Sequence, residues 1–208
     1  MNLQESIKYF TADELNKIFK VLEKRVRKAE TDFEERTAVR NRSMFQMMYY
    51  CALRVSELEM LLVEDYNPVH NNMYCRRLKD GINNTLQIVD KKILSDLKKH
   101  FRLNKPEHHI FESKSGVAVS RKTMDKILKQ VCSEAKLTTP DKWHCHTFRH
   151  TRAIDLLEGG ISIYEVQYWL GHVNIQNTEI YLRFTTSQYK ALFDKLKDQH
   201  GIYDPEKE

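Results

Sequence analysis

The chain has 208 residues, enough for one large domain with a sizeable buried core. Hydrophobic residues make up 41% and charged residues 30%, the balance of a globular protein and not of a disordered one. Thirty-four Lys and Arg against 29 Asp and Glu leave a net charge of +5, which suits a polyanionic partner without specifying one.

No apolar run approaches the roughly 18 residues that a membrane helix needs. The first ten residues, MNLQESIKYF, lack the basic-then-apolar pattern of an export signal, so a cytoplasmic location with no membrane partner is expected. The four cysteines, at 51, 75, 132 and 145, form no CxxC pair and are expected as reduced thiols.

Thr11 and Glu14 have the spacing of a capping box. Leu15, Ile18, Phe19, Leu22 and Val26 then recur at helical spacing, predicting a first helix to about Ala29. Residues 31–36 are polar and read as a connection. A second helix from near Glu34 carries Val39, Phe45, Met48 and Tyr49 inward, with the Met-rich MFQMMYY run as core filling. Ser56 and Glu59 have the spacing to cap a further helix carrying Met60 and Leu61 or Leu62. Arg54 thus falls at a junction among Ala52, Leu53, Val55 and Leu58. A guanidinium in such surroundings needs either a carboxylate, such as Glu57, or a phosphate.

Residues 73–78 and 85–89 read as two short strands, and KDGINN between them as a hairpin loop with Lys79 at its head. A helix follows from Lys91 to about Phe101, Pro106 interrupts the chain, and residues 109–111 read as a short extended piece. Ser120 caps a helix with Met124, Ile127, Leu128 and Val131 inside. Its outer face of Arg121, Lys122, Lys126 and Lys129 suits a DNA backbone or simply water.

The segment HTFRH places His146, Arg149 and His150 on one helix face. Ala153, Ile154 and Leu157 continue inward and Gly159-Gly160 stops the helix. Ser162 and Glu165 form another capping box, and Gly171 ends that helix and presents His172. A next helix from near Asn174 carries Ile180 and Tyr181, the tyrosine standing nine residues beyond His172. Imidazoles, a guanidinium and a phenol are the groups that metal-free attack on a phosphodiester requires. Planar guanidinium forks match the charge that builds on the phosphate oxygens, and a phenol is a usable nucleophile once cations or a base assist it. A competing reading, zinc held by His144, Cys145, His146 and His150, lacks the second ligand pair that a structural zinc site draws from another segment.

ALRVSEL around Arg54, the hairpin Lys79, HTFRH, the LGH turn and Tyr181, in this order over about residues 10–195, resemble the tyrosine recombinase (phage integrase) family. The resemblance implies a mainly α-helical catalytic domain with a small antiparallel β-hairpin sheet. It would cleave and rejoin double-stranded DNA through a 3′-phosphotyrosine, with no cofactor and no metal. Arg54 and Arg149 would hold the non-bridging oxygens of the scissile phosphate, and His172 would donate to it. Tyr181 would be the nucleophile, Lys79 would protonate the leaving 5′ oxygen, and His146 would assist proton transfer with the tyrosine. His150 is expected as a structural histidine that orients the segment.

The chain departs from the family at Ala52, where glycine is common, and at Phe148, where leucine is common. Both swaps are expected to affect packing only. Residues 1–200 read as a single catalytic domain and 201–208 as a frayed tail, with no separate N-terminal domain that clamps DNA. That form resembles the short fimbrial-type DNA invertases. A last helix with Tyr189, Leu192, Phe193 and Leu196 along one stripe would either fold back on its own domain or dock into a neighbouring protomer. Docking would link activity to self-association in a tetrameric synapse on DNA, and accessory DNA-bending proteins are further expected partners. Two other readings are a topoisomerase IB-like relaxing enzyme and a non-cutting DNA-binding regulator. The bacterial-type motifs oppose the first and the filled catalytic positions oppose the second.

Overall fold

The structure, a computed structural model, describes residues 7–79 and 81–185. The expected last helix with Tyr189, Leu192, Phe193 and Leu196, and the tail from 201 to 208, lie outside the described residues.

Local capping sets most helix starts. Thr11 and Glu14 exchange hydrogen bonds with each other's backbone, opening α1 (Ala12–Arg27), which buries Leu15, Ile18 and Leu22. The polar stretch expected as a connection is instead the first turn of α2 (Asp32–Tyr50). Thr31 and Glu34 form a second reciprocal box that satisfies the free N–H groups of that turn. Helix α2 is the central element, packed on α1, on α4 (Lys91–Asn104) and on α6 (His146–Glu158). Its Met44, Phe45, Met47 and Met48 are fully enclosed. Between α2 and α4, Arg42 and Gln46 both donate to the buried Asp96 at 2.5 and 2.8 Å.

Ser56 does not cap α3 (Val55–Glu59). Glu57, at the third helical position, accepts from the backbone N–H of Arg54 at 2.9 Å, so the helix begins one residue before Ser56 and stops before the exposed Met60. The sheet has one strand more than the hairpin. Strand β1 (Tyr66–Asn67) pairs antiparallel with β2 (Asn72–Cys75), and β2 pairs with β3 (Asn84–Gln87) in the register Met73 opposite Leu86. Both hairpin strands are shorter than expected: β2 ends at Cys75, where residues 76–83 leave the ladder for side-chain partners described below, and β3 ends at Gln87. Asp90 caps α4 and Ser120 caps α5 (Arg121–Glu134), with short bridges at His109 and Glu112 between them.

The core divides in two. The larger part lies among α1, α2, α4, α5 and the sheet. The smaller joins α6 to α7 (Ile163–Leu170) through Ala153, Ile154, Leu157, Val166 and Leu170, and includes Ala52 and Tyr181. The expected helix carrying Tyr181 is only the short α8 (Gln176–Glu179). Tyr181 follows in a turn, and its side chain is 2% exposed within the smaller core. Among the described residues no helix is long and apolar enough to cross a membrane.

Candidate active site

The site is assembled around one carboxylate. Glu57 is 2% exposed and receives donors from four directions. Its Oε1 accepts from Arg54 Nη1 at 2.5 Å and from the N–H of Leu78 at 3.1 Å. Its Oε2 accepts from the N–H of Arg54 at 2.9 Å and from Arg77 Nη1 at 3.2 Å, with Arg149 Nη1 at 3.8 Å. Burial alone would raise its pKa. The Arg54 backbone bond and the charges of Arg77 and Arg149 outweigh burial and hold the carboxyl below the ordinary range. Three guanidiniums thus share one carboxylate and leave two positive charges in surplus. A phosphodiester is the kind of ligand that such a surplus favours.

The arginines differ in access. The side chain of Arg54 keeps 21% of its surface exposed, while that of Arg149 keeps 1%. Arg149 Nη1 donates to the Ala52 carbonyl at 2.6 Å and Nη2 to the Leu170 carbonyl at 2.9 Å. Burial, then the Arg54 charge, pull its pKa down to about 10, so it remains charged at neutral pH. Ala52 achieves that aim with φ +50°, in the left-handed region that favours glycine. The swap at Ala52 therefore concerns backbone conformation and not packing alone. Phe148, by contrast, is a packing change. Its enclosed ring meets those of Phe10 and Phe45 at 5.3 and 5.7 Å.

The nucleophile candidate is Tyr181. Its Oη lies 2.9 Å from His150 Nδ1, and burial raises its pKa to about 12 against the opposing pull of Arg149 and Arg54. His150, expected as support, is thus the imidazole in hydrogen-bond contact with the phenol. Burial, then His146 and Arg149, depress its pKa to about 3, so the ring is neutral at pH 7. The His146 ring stands edge-on to it, 4.4 Å between centroids. Burial lowers the His146 pKa too, followed by the charges of Arg149, Arg54 and Lys79. A cleft of about 650 Å³ lined by Lys8, Asp141, His144, His146 and His150 opens onto this pair.

His172, presented by the left-handed Gly171, is 8% exposed, with Nδ1 2.9 Å from Thr178 Oγ1. Burial, then Arg149, Arg54 and Arg77, depress its pKa to about 3. Lys79 is exposed on the hairpin loop with φ +56°, close enough for its charge to act on His146. The fold therefore gathers Arg54, His146, His150, His172 and Tyr181 about Arg149, which Glu57 faces, with Lys79 at the rim. Among the described residues no group of three or more His, Cys, Asp or Glu converges as metal ligands.

Arg77 is the member that the sequence reading missed. The signal was present: Met73, Cys75 and Arg77 alternate onto the inward side of the hairpin, where a guanidinium demands partners.

The chain is 31% identical over 185 residues to a tyrosine recombinase XerD of Oceanobacillus iheyensis, covering 85% of this chain and 58% of that protein. It is 30% identical over 193 residues to a tyrosine recombinase XerA of Pyrococcus furiosus, covering 90% and 61%. The chain thus spans about three fifths of the length of these relatives. Among solved structures, the XerA recombinase superposes with a TM-score of 0.73 at 19% identity, covering 98% of this chain and 67% of the other. A XerH site-specific recombinase bound to palindromic difH substrate superposes with a TM-score of 0.74 at 19% identity, covering 97% and 55%. Both share the mainly helical fold with a small antiparallel sheet. The phage integrase family model matches residues 8–201, and the chain belongs to the phage integrase family of tyrosine recombinases.

Proposed function

We propose that this chain carries the catalytic machinery of a site-specific DNA recombinase that cuts and rejoins duplex DNA in the cytoplasm through a 3′-phosphotyrosine. The observation that supports it most is the buried Tyr181 phenol, held on a neutral imidazole and flanked by the charges of Arg54 and Arg149. The phenol oxygen attacks phosphorus, the P–O5′ bond breaks, and the phosphate joins tyrosine to the 3′ end. Arg54 and Arg149 stabilise the charge on the non-bridging oxygens, and His172 donates a further hydrogen bond. The phenolic proton passes to His150 Nδ1, and Lys79 gives a proton to the leaving 5′ oxygen. His146, edge-on to His150, assists the proton transfer from the tyrosine. Rejoining reverses the steps with a new 5′ hydroxyl, and the phosphotyrosine conserves the bond energy meanwhile.

The pKa gap between His150 and Tyr181 opposes a preformed phenolate, so the proton moves only as the P–O bond forms. The solved XerH complex with its palindromic difH substrate supports duplex DNA as the substrate. Assembly as a tetramer, with a C-terminal helix exchanged between protomers, and help from DNA-bending proteins belong to the same reading. The test is a nicked suicide duplex, selected from a random-sequence library by capture of covalent adducts. Wild-type protein should form a protease-sensitive adduct in the presence of chelator. Tyr181→Phe should form none while binding the same duplex within about threefold, since the lost hydroxyl removes only one hydrogen bond. Adduct formation by Tyr181→Phe, or its loss with chelator, would overturn the proposal. Exchange between two duplexes without relaxation of supercoils separates a recombinase from a relaxing enzyme.

A further inference from the structure

Arg77 has no part in the steps above, yet its side chain donates four hydrogen bonds within the site. Its guanidinium has no exposed surface. Nε donates to Asn84 Oδ1 at 3.1 Å and Nη1 to Glu57 Oε2 at 3.2 Å. Nη2 donates to the carbonyls of Cys51 at 3.1 Å and Trp169 at 2.6 Å. Four elements therefore meet on one fork: β3, α3, the end of α2 and α7.

The backbone around Arg77 is held as firmly. Its N–H donates to Asn83 Oδ1 at 2.7 Å, and the N–H of Leu78 donates to Glu57. The N–H of Ile82 donates to the Gly171 carbonyl at 3.0 Å. The Arg77 stem runs directly against Gly171, where an added Cβ would sit 2.6 Å from Arg77 Cγ and 2.7 Å from the Ile82 carbonyl. Gly171 immediately precedes His172, and Lys79 lies two residues beyond Arg77. One buried side chain thus ties the loop of the lysine to the turn of the histidine.

We propose that Arg77 is a positioning residue that sets Lys79, together with the His172 turn, against the phosphate-holding Arg54 that Glu57 fixes. This rests on the reading of Lys79 as the acid for the leaving oxygen. A pinned loop is what proton delivery demands, because a long lysine on a free hairpin samples many rotamers.

The test compares two suicide duplexes that differ only at the 5′ bridging atom of the scissile bond, oxygen or sulfur. Sulfur departs with its electron pair as a thiolate and needs no proton from Lys79. Arg77→Lys, which keeps the charge and loses the fork, should form adduct about 100-fold more slowly on the oxygen duplex. On the sulfur duplex the deficit should shrink to about threefold, as it should for Lys79→Met. Duplex affinity should stay within about threefold of wild type, since Arg77 touches no solvent. If Arg77→Lys does not melt cooperatively, Asn84→Ala carries the test. It removes the Nε acceptor, leaves the arginine in place, and should show a smaller loss with the same dependence on sulfur. Equal loss on both duplexes, with wild-type adduct intact, overturns the role of Arg77 alone. Absence of wild-type adduct on both duplexes overturns the recombinase reading and this inference with it.

Discussion

His150 Nδ1 and Tyr181 Oη lie 2.9 Å apart, although they stand 31 positions apart in the chain, with the whole of α7 between them. The ring is neutral, with its pKa depressed to about 3, so the phenol can donate to it when the ring proton sits on Nε2. His150→Gln keeps a hydrogen-bonding group beside the phenol and removes the base. Adduct formation should slow by about 100-fold, the usual worth of a positioned base. A rate within threefold of wild type on the suicide duplex would remove His150 from the chemistry.

Arg149 is fixed by the carbonyls of Ala52 and Leu170, which come from two segments that meet only in the folded state. Lysine carries the charge but cannot serve both carbonyls and a phosphate at once. Arg149→Lys should lower the adduct rate by about 100- to 1000-fold, in the range for losing one transition-state donor. It should also lower the melting temperature, because a buried carbonyl loses its donor. Rate and melting both unchanged would contradict the arrangement.

Among the described residues, Glu57 is the carboxylate that pairs with Arg54, Arg77 and Arg149. Glu57→Gln leaves three guanidiniums facing one another without a counter-charge. Removing one partner of a buried pair costs about 3–5 kcal/mol, so urea unfolding should show a loss of that order. A loss below about 1 kcal/mol would mean that the charges are far better solvated than their burial indicates.

Three histidines are held neutral by burial, with values of about 4 for His100 and about 3 for His150 and His172. His100 is fixed in that state, since Nε2 lies 2.6 Å from the Ile110 carbonyl and Nδ1 lies 3.1 Å from Asn104 Nδ2. In the unfolded chain each titrates near 6.5. Below that value the unfolded state takes up protons that the folded state refuses. The stability they contribute is therefore whole well above about pH 6.5 and falls as the pH drops towards 4. Each histidine steepens the fall by up to about 1.4 kcal/mol per pH unit. Urea unfolding at pH 7.5, 6.5 and 5.5 should show stability falling by about 1 kcal/mol over the first interval and about three times as much over the second. Equal stability at all three would contradict the neutral state.

What the sequence determined by itself was local. Thr11, Ser120 and Ser162 start helices in the structure because a capping side chain needs only the next three residues. The same reasoning failed at residues 31–36 only because the Thr31–Glu34 box was not recognised. It failed at Ser56 because Glu57 offers the stronger cap. The order of Arg54, Lys79, His146, Arg149, His172 and Tyr181 was equally legible, since each lies in a short motif.

Tertiary packing decided the partners. Whether Arg54 pairs with a carboxylate or awaits a phosphate was open in the sequence; in the fold it pairs with Glu57 and keeps part of its surface exposed. Which imidazole meets the phenol depends on where α8 ends and how Tyr181 enters the smaller core. That Arg77 joins the hairpin to α7 depends on contacts up to 92 residues apart. Such contacts follow from burial, which removes water as an alternative partner and obliges each charged group to find one within the protein. No spacing rule in the chain encodes which one it will be.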